Sequence, residues 1–169
     1  MKKEIFVAGG CFWGVEAYFS RIKGIESTAV YYINGGYEGV SYKDVCQISN
    51  HVEVVKLVYD DTIINERELF YLYLQIVDPY SLNKQGNDIG TQYRIGIYTN
   101  DPLTLNEFKT INNDFIAQTS KNNHIELLPV TDQTRAEEYH QKYLQKNPSG
   151  YCHINIFSIP DKYLKDEYK

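Results

Sequence analysis

The sequence is short of the residues that hold together secreted and metal-binding domains. It contains three cysteines among 169 residues, an odd and small number where a secreted disulfide scaffold would have more, in pairs. Cys11, Cys46 and Cys152 lie far apart, and none has a partner at metal-ligand spacing. We therefore expect no metal, no cofactor and a reducing, cytoplasmic location, where a prominently placed cysteine is more often reactive than bridged.

Long hydrophobic runs and clusters of basic residues are also lacking. Only four apolar residues, Ile5 to Ala8, lie between the first charged residues and Gly9, and this run is too short for a signal peptide. No stretch approaches transmembrane length, so we expect no membrane partner. Aspartate and glutamate total 22 against 17 lysines and arginines, which gives a net charge of −5. Such a mildly acidic chain is a poor candidate for binding nucleic acid.

The residues that are present are sufficient for one hydrophobic core. Hydrophobic residues make up 43% of the chain and charged residues 23%, a composition that favours a folded domain over disorder. No repeat or linker divides the sequence. We expect a single catalytic domain over residues 1–169 with a C-terminal tail from about residue 146, and a monomer.

Strand and helix patterns are intermixed along the chain. Helical periodicity predicts a helix after Gly10 that ends at Gly24, and Asp101 with Pro102 opens another. Short apolar runs predict strands at 4–8, 25–32, 53–60, 93–98, 125–130 and 153–157. We expect an α/β (α+β) fold, a two-layer sandwich of helices packed on a mixed sheet around a ferredoxin-like plait core.

Two further helix starts carry a capping-box pattern. Asn65 is followed three residues later by Glu68, ahead of ERELFYLYLQIV. Thr134 is followed by Glu137, ahead of AEEYHQKYL. The first pattern predicts a helix from Glu66, and the second predicts a helix over AEEYHQKYL.

Cys11, in the stretch GGCFWG, lies where a strand ends and a helix begins. The first turn of a helix presents unpaired N–H groups and the positive end of a dipole, and both favour an anion. An ordinary thiol has a pKa of about 8.5, which a helix N-terminus lowers, so Cys11 is a candidate nucleophile. The alternative is a buried structural cysteine.

Phe12 and Trp13 follow directly, and neighbours on a helix do not share a face. One of the two rings is therefore expected to line a pocket beside the thiol, of a size that suits a methyl or other small alkyl group. The alternative is that Trp13 packs over the sheet.

Four blocks of the sequence, in family order, resemble the signatures of the type A peptide methionine sulfoxide reductases. They cover about residues 5–155, and four matches in order do not arise by chance. The blocks are GGCFWG, HVEVVKLVYD, DPYSLNKQGNDIGTQYR and AEEYHQKYLQKNPSGYCHI. The resemblance implies an oxidoreductase that reduces methionine-S-sulfoxide, free or in peptides and proteins, as repair of oxidative damage.

The resemblance also implies roles for individual residues in the reaction. Cys11 matches the nucleophile that attacks the sulfoxide sulfur and becomes a sulfenic acid. Glu53 matches the acid that protonates the sulfoxide oxygen, a role that needs a buried carboxyl with a raised pKa. Tyr32 and Tyr93 match two tyrosines whose hydroxyls bond that oxygen. This chain has Val30-Tyr31-Tyr32 where the family has Val-Gly-Tyr, so either tyrosine could match the family's. The register with Gly35 favours Tyr32.

Other positions match residues that bind the substrate or complete the cycle. Phe12 and Trp13 match the aromatic cage around the substrate methyl group, and Asp88 matches a buried aspartate that orders the site. His140 is expected to give a supporting hydrogen bond, or else to be an ordinary core or surface histidine. Cys152 matches the resolving cysteine, which would form a disulfide with Cys11 that thioredoxin reduces.

Cys46 matches a cysteine that the family does not use for turnover, and we interpret it as structural. Two alternatives from other functional classes remain at this point. A thiol peroxidase also cycles through a sulfenic acid, and a non-catalytic peptide-binding module would not need Cys11 at all.

Overall fold

The fold is that of a computed structural model, which describes residues 1–150 and 153–169. The strands are β1 (Lys2–Gly9), β2 (Ile25–Ile33), β3 (Val52–Asp60), β4 (Lys84–Gln85), β5 (Asp88–Ile89), β6 (Ile95–Tyr98), β7 (Glu126–Leu128) and β8 (Gln133–Arg135). The helices are α1 (Phe12–Ser20), α2 (Tyr42–Gln47), α3 (Glu66–Leu74), α4 (Pro102–Thr119) and α5 (Tyr143–Lys146).

Six of the strands form one mixed sheet in the order β7-β6-β1-β3-β2-β8. The pairs β6–β1, β1–β3, β3–β2 and β2–β8 are antiparallel, and β6–β7 is parallel. The four central strands follow the chain order β1-α1-β2-β3-α3-β6. Two βαβ-type halves in this order constitute a ferredoxin-like plait, so the predicted fold class is confirmed.

The main hydrophobic core lies between one face of the sheet and the helices α1, α3 and α4. Side chains alternate between the two faces along each strand, as the period of two in a strand requires. Fully burying one such side chain stabilises the fold by about 1.5–3 kcal/mol. Because β1 and α1 both contribute side chains to this core, the core holds the junction between them in place. Its members include Ile5, Val7, Val30, Val55, Leu57, Val15, Phe19, Phe70 and Phe108.

The opposite face of the sheet carries a smaller apolar cluster. Phe6, Ala8, Val54 and Tyr98 are buried there, and Val130 packs against them. The connection from β7 to β8 is tied to this side because the Val130 N–H donates to Asn100 Oδ1 at 2.8 Å. Within residues 1–150 and 153–169, no helix is long and apolar enough to span a bilayer.

Two of the three predicted helix starts after the first helix are present. The Asn65 side chain accepts the Glu68 N–H, and the Glu68 side chain accepts the Asn65 N–H, so this capping box is complete. Asp101 caps α4, with Pro102 in its first turn. Each of these patterns is local, and no tertiary contact competes with it.

Several boundaries were predicted wrongly. Thr134 and Glu137 form no capping box, because residues 133–135 pair with β2 as β8 and the Thr134 hydroxyl accepts the Gly39 N–H. Residues 153–157 form turns rather than a strand. The first helix ends at Ser20, and Gly24 instead takes a positive φ in the turn that leads into β2. The helix α2 was not among the predicted helices.

The loop that follows β2 is supported by a buried histidine. The His51 Nε2 atom lies 2.7 Å from the Tyr37 carbonyl, which can only accept, so Nε2 carries the proton and donates. The same atom is 3.2 Å from Asp132 Oδ1. The imidazole lies directly beneath Gly35, where a Cβ would come within 2.1 Å of His51 Nδ1.

We therefore expect Gly35→Ala to destabilise the protein by about 1–3 kcal/mol, because the added methyl overlaps the imidazole. In a His51→Ala background the same change should cost clearly less, because the methyl enters the space that the ring has left. Urea unfolding of the two single variants and the double variant measures the coupling. Strictly additive losses would show that the imidazole is not the obstacle.

Candidate active site

Cys11 occupies the N-cap of α1, directly after β1 ends. Its backbone is extended (φ −61°, ψ 122°), and its side chain is 8% exposed. The preceding Gly10 has φ +93°, and a Cβ there would lie 2.7 Å from the Cβ of Gln85. Only glycine fits both the conformation and the space, so Gly10 is what lets the chain turn from β1 into the helix at Cys11.

Glu53 lies on β3 with its carboxyl buried at the start of the same helix. The side chain is 1% exposed, and its Oε1 accepts the Phe12 N–H at 3.4 Å. Among the described residues its Oε2 atom has no hydrogen-bond partner. Burial raises the pKa of Glu53 to about 8, with the Asp88 charge adding to the rise and the Phe12 N–H opposing it. The carboxyl is therefore protonated at neutral pH.

Tyr32 stands opposite Glu53 in the β2–β3 register and is fully buried. Its hydroxyl donates to Glu137 Oε1 at 2.8 Å, while Glu137 Oε2 accepts the Tyr42 N–H at 3.0 Å. Burial and then the Glu137 carboxylate raise the pKa of Tyr32. Tyr31 points to the other face of the sheet, towards the smaller apolar cluster. The alternation of β2 thus directs Tyr32, and not Tyr31, towards the site.

Glu137 keeps its charge next to these tyrosines. Burial raises the pKa of Glu137, but the Tyr42 N–H, the Glu137 N–H and the Tyr32 hydroxyl together lower it below its ordinary value. Two carboxyl groups of the site are therefore in opposite protonation states, Glu53 neutral and Glu137 charged.

Tyr93 ends the short 3₁₀ turn Thr91–Tyr93 and is half-buried. Burial raises its pKa, and the charges of Glu53, Asp88 and Cys11 raise it further, in that order. Its hydroxyl stays protonated and can donate. Asp88, on β5, has its pKa raised by burial, and His153 Nδ1 lies 3.5 Å from its Oδ2 atom.

Aromatic rings surround the first turn of α1. The Phe12 ring lies 5.7 Å from that of Tyr32 and 5.1 Å from that of His140, between centroids. The Trp13 indole N–H donates to His140 Nδ1 at 3.0 Å, and the indole stacks on Tyr143 at 3.8 Å with the planes 12° apart. Burial lowers the pKa of His140, so the ring is neutral and its Nδ1 is free to accept.

The structure thus brings together all the predicted site residues that it describes, from both layers of the fold. Cys152 lies outside the described residues. Cys46 is exposed on α2. Partial burial raises the pKa of its thiol. The predicted members in the described part of the chain are Cys11, Phe12, Trp13, Tyr32, Glu53, Asp88, Tyr93 and His140.

Sequence reasoning missed Glu137, Tyr143 and His153 as neighbours of the site. Glu137 was assigned to a capping box, although it lies in the same AEEYH block as His140. Tyr143 is three residues beyond His140, but the chain reverses between them at Lys142, so no helical spacing signalled its position. His153 follows Cys152 directly in the sequence. It lies in the segment predicted as a strand, 153–157, and nothing in that pattern indicated a place near the site.

Comparison with known proteins decides the family. A family model described as peptide methionine sulfoxide reductase matches residues 3–169. Peptide methionine sulfoxide reductase MsrA of Mycoplasmopsis pulmonis (strain UAB CTIP) is 57% identical over 165 residues, which is 98% of this chain and 99% of that protein. The chain belongs to the peptide methionine sulfoxide reductase family. The resemblance seen in the four sequence blocks and the predicted class of enzyme are thereby confirmed.

Solved structures of the family share the fold of this reductase. The reduced form of Mxr1 from Saccharomyces cerevisiae has a TM-score of 0.83 at 36% identity, over 89% of this chain and 88% of that one. Methionine sulfoxide reductase A of Corynebacterium diphtheriae has a TM-score of 0.81 at 30% identity, over 97% and 84%. Mxr1 has also been solved in complex with Trx2, a structure with a TM-score of 0.57 at 23% identity.

The stability of this reductase should depend on pH through Glu53. A carboxyl with a pKa near 4.3 in the unfolded chain releases a proton that the folded protein keeps up to about pH 8. Between these values the free energy of unfolding therefore falls as the pH rises, by at most about 1.4 kcal/mol per pH unit. In Glu53→Gln this slope should be lost, as measured by urea unfolding from about pH 5 to about pH 8.

The matched control is Glu107→Gln on the exposed face of α4, which should leave the slope as it is. If the curves of wild type and Glu53→Gln run parallel across this pH range, Glu53 is not a buried neutral acid.

Proposed function

We propose that this reductase converts methionine-S-sulfoxide, free or in peptides and proteins, to methionine, with Cys11 as nucleophile and Glu53 as acid. The observation that carries the proposal is the position of the Glu53 carboxyl. It is buried, protonated at neutral pH, and bonded to the backbone N–H of the residue next to Cys11. A protonated carboxyl beside a nucleophilic sulfur is what the reduction of a sulfoxide requires.

The first step forms a sulfenic acid on Cys11. The Cys11 thiolate attacks the sulfoxide sulfur, Glu53 gives its proton to the oxygen, and the oxygen passes to Cys11 as methionine leaves. The sulfur of Cys11 is oxidised by two electrons and that of the substrate is reduced by two. The positive end of the α1 dipole favours the thiolate form of Cys11. A neutral Glu53 supports the same step, because it places no second negative charge beside that thiolate.

Tyr93 is the hydroxyl donor that the site offers to the sulfoxide oxygen. Its pKa is raised by burial and by the charges of the groups that it accompanies, so it remains a donor throughout the working pH range. The Tyr32 hydroxyl already donates to Glu137, and it reaches a substrate oxygen only by exchanging that bond. We assign Tyr93 as the first donor and Tyr32 as the second.

Phe12 and Trp13 form the methyl-binding side of the site. Both rings belong to the first turn of α1, and His140 lies against both of them. The methyl group of a sulfoxide carries partial positive charge from its sulfur, which aromatic faces attract. Because burial lowers the pKa of His140, its imidazole is neutral and places no positive charge next to the methyl group. Burial raises the pKa of Glu53, and the charge of the half-buried Asp88 adds to that rise.

Cys152 completes the cycle as the resolving cysteine. Its thiol attacks the sulfur of the Cys11 sulfenic acid, an S–S bond forms as the S–O bond breaks, and the oxygen leaves as water with the proton that the thiol gives up. A thioredoxin then reduces the disulfide. The family blocks around Cys152 and the existence of an Mxr1–Trx2 complex support this part of the proposal. A thioredoxin-dependent cycle fits a cytoplasmic location.

The epimers of methionine sulfoxide test the reaction. With thioredoxin as reductant, the S epimer should be reduced and the R epimer left unchanged, because a pocket that holds the methyl group and the oxygen separately accepts one hand at sulfur. Cys11→Ser should abolish methionine formation, while Cys46→Ser retains it. Turnover of peroxide without sulfoxide turnover would indicate a thiol peroxidase instead, and an active Cys11→Ser enzyme would refute the mechanism.

The role of Cys152 is tested by counting products. Cys152→Ser should release one methionine per enzyme and then stop, because the first step is intact and the sulfenic acid on Cys11 is not resolved. Methionine is quantified after rapid mixing, and the sulfenic acid is trapped with a dimedone-type reagent. Sustained thioredoxin-driven turnover in this variant would exclude Cys152 as the resolving residue.

A further inference from the structure

The indole of Trp13 is held by two residues that follow β8. Tyr143 stacks on one face at 3.8 Å, and His140 accepts the indole N–H at 3.0 Å. Because a planar ring has two faces, the stack leaves only the other face and the ring edge for a ligand. Whatever fixes Tyr143 and His140 therefore also fixes the wall that Trp13 presents.

Gln141 attaches this segment to the edge of the sheet beyond β8. Its side-chain amide pairs with both backbone groups of Val30, accepting the N–H at 2.9 Å and donating to the C=O at 3.0 Å. It also donates to the Ala136 carbonyl at 3.0 Å. The amide thus takes the place of a strand residue, and it sets His140 on the inner side of the segment.

A partly buried ion pair, in which Glu16 is buried and the Lys142 side chain is partly exposed, makes the second attachment. Glu16, 2% exposed, lies three residues after Trp13 on α1, so the two side chains share a face of the helix. Its Oε1 accepts the Lys142 N–H at 2.7 Å, and its Oε2 accepts Lys142 Nζ at 3.1 Å. Thr28 bonds to both partners. Its hydroxyl donates to Glu16 Oε2 at 2.9 Å, and its backbone carbonyl accepts a hydrogen bond from Lys142 Nζ at 2.8 Å.

This arrangement leaves little freedom at the indole. Lys142 has φ +55°, so the chain reverses there and sends Tyr143 back over α1. A cavity of ≈ 10 Å³ lies between α1 and α5, with Trp13, Glu16, Lys142 and Tyr143 among its lining residues. It has room for about one water molecule, so the two helices are closely packed at this point. A buried carboxylate is costly without its partner, so the pair holds the segment in one position.

We propose that Glu16 and Lys142 are positioning residues that clamp Tyr143 onto the Trp13 indole, and that this clamp sets the selectivity of the site for methyl over larger alkyl sulfoxides. The inference rests on the proposed function, because it concerns the wall that contacts the substrate methyl group. A wall that cannot yield excludes a larger group, whereas a wall that can move admits it. One methylene in a rigid apolar pocket is worth about 10-fold or more in kcat/KM.

The test compares methionine sulfoxide with ethionine sulfoxide, which carries an ethyl group in place of methyl. In Lys142→Met the ratio of the two kcat/KM values should fall to about twofold, from the larger wild-type ratio. The loss for methionine sulfoxide should appear mainly in KM, because Cys11 and Glu53 are untouched. The matched control is Lys3→Met, which breaks a partly buried ion pair with Glu66 and should keep both the ratio and KM.

Fluorescence gives an independent readout, since Trp13 is the only tryptophan in the sequence. Acrylamide should quench it more strongly in Lys142→Met than in wild type or Lys3→Met. Tyr143→Leu, which removes the stack and leaves the ion pair, should relax selectivity in the same way. Lys142→Arg keeps the charge and should restore part of the selectivity. If Lys142→Met does not fold, Tyr143→Leu and Lys142→Arg are compared with wild type instead.

The outcomes separate the clamp from the reaction. If the wild-type enzyme reduces neither sulfoxide, the proposed function fails whatever the variants do. If wild type reduces and discriminates the two substrates, and the folded Lys142→Met and Tyr143→Leu variants discriminate equally well with unchanged quenching, the clamp is refuted.

Discussion

The active site depends on one interaction, the burial of the Glu53 carboxyl against the backbone N–H that opens α1. Removing a carboxyl from water favours its neutral form, and here the single hydrogen bond from Phe12 is too weak to reverse that preference. Glu137, a few residues from His140 in the chain, accepts several donors and stays charged. The fold therefore sets two carboxyl groups in opposite states within one site, and the neutral one is an acid ready for use at neutral pH.

The sheet makes this burial possible. Adjacent strands β2 and β3 place Tyr32 and Glu53 opposite each other on the helix-covered face, while Gly10 lets β1 turn directly into α1 above them. The polar groups thus lie beneath the first turn of a helix, where N–H groups have no partner within the helix. The segment after β8 then closes the aromatic side, with Gln141 attached to Val30 and Lys142 to Glu16. The polar groups and the aromatic rings of the candidate site are therefore held by separate attachments.

The sequence predicted those features that depend on neighbours in the chain. The strand before Cys11, the cap at Asn65 and the start of α4 at Asp101 are local and were predicted correctly. Resemblance identified the family, and the residues to which it assigned roles lie together around the start of α1 wherever the structure describes them. What was missed depends on tertiary contacts. Residues 133–135 pair with β2 although their capping-box pattern favours a helix. Glu137 and Tyr143 join the site only because that pairing carries the following segment across α1, and no local pattern encodes it.

The pH dependence of the first chemical step tests the central claim most directly. The rate of methionine formation in a single turnover should fall above an apparent pKa of about 8, as Glu53 loses its proton. In Glu53→Gln the rate at neutral pH should drop by about 10²-fold or more, and this falling limb should disappear. A falling limb of the same position and slope in Glu53→Gln would contradict the account, because another group would then supply the proton.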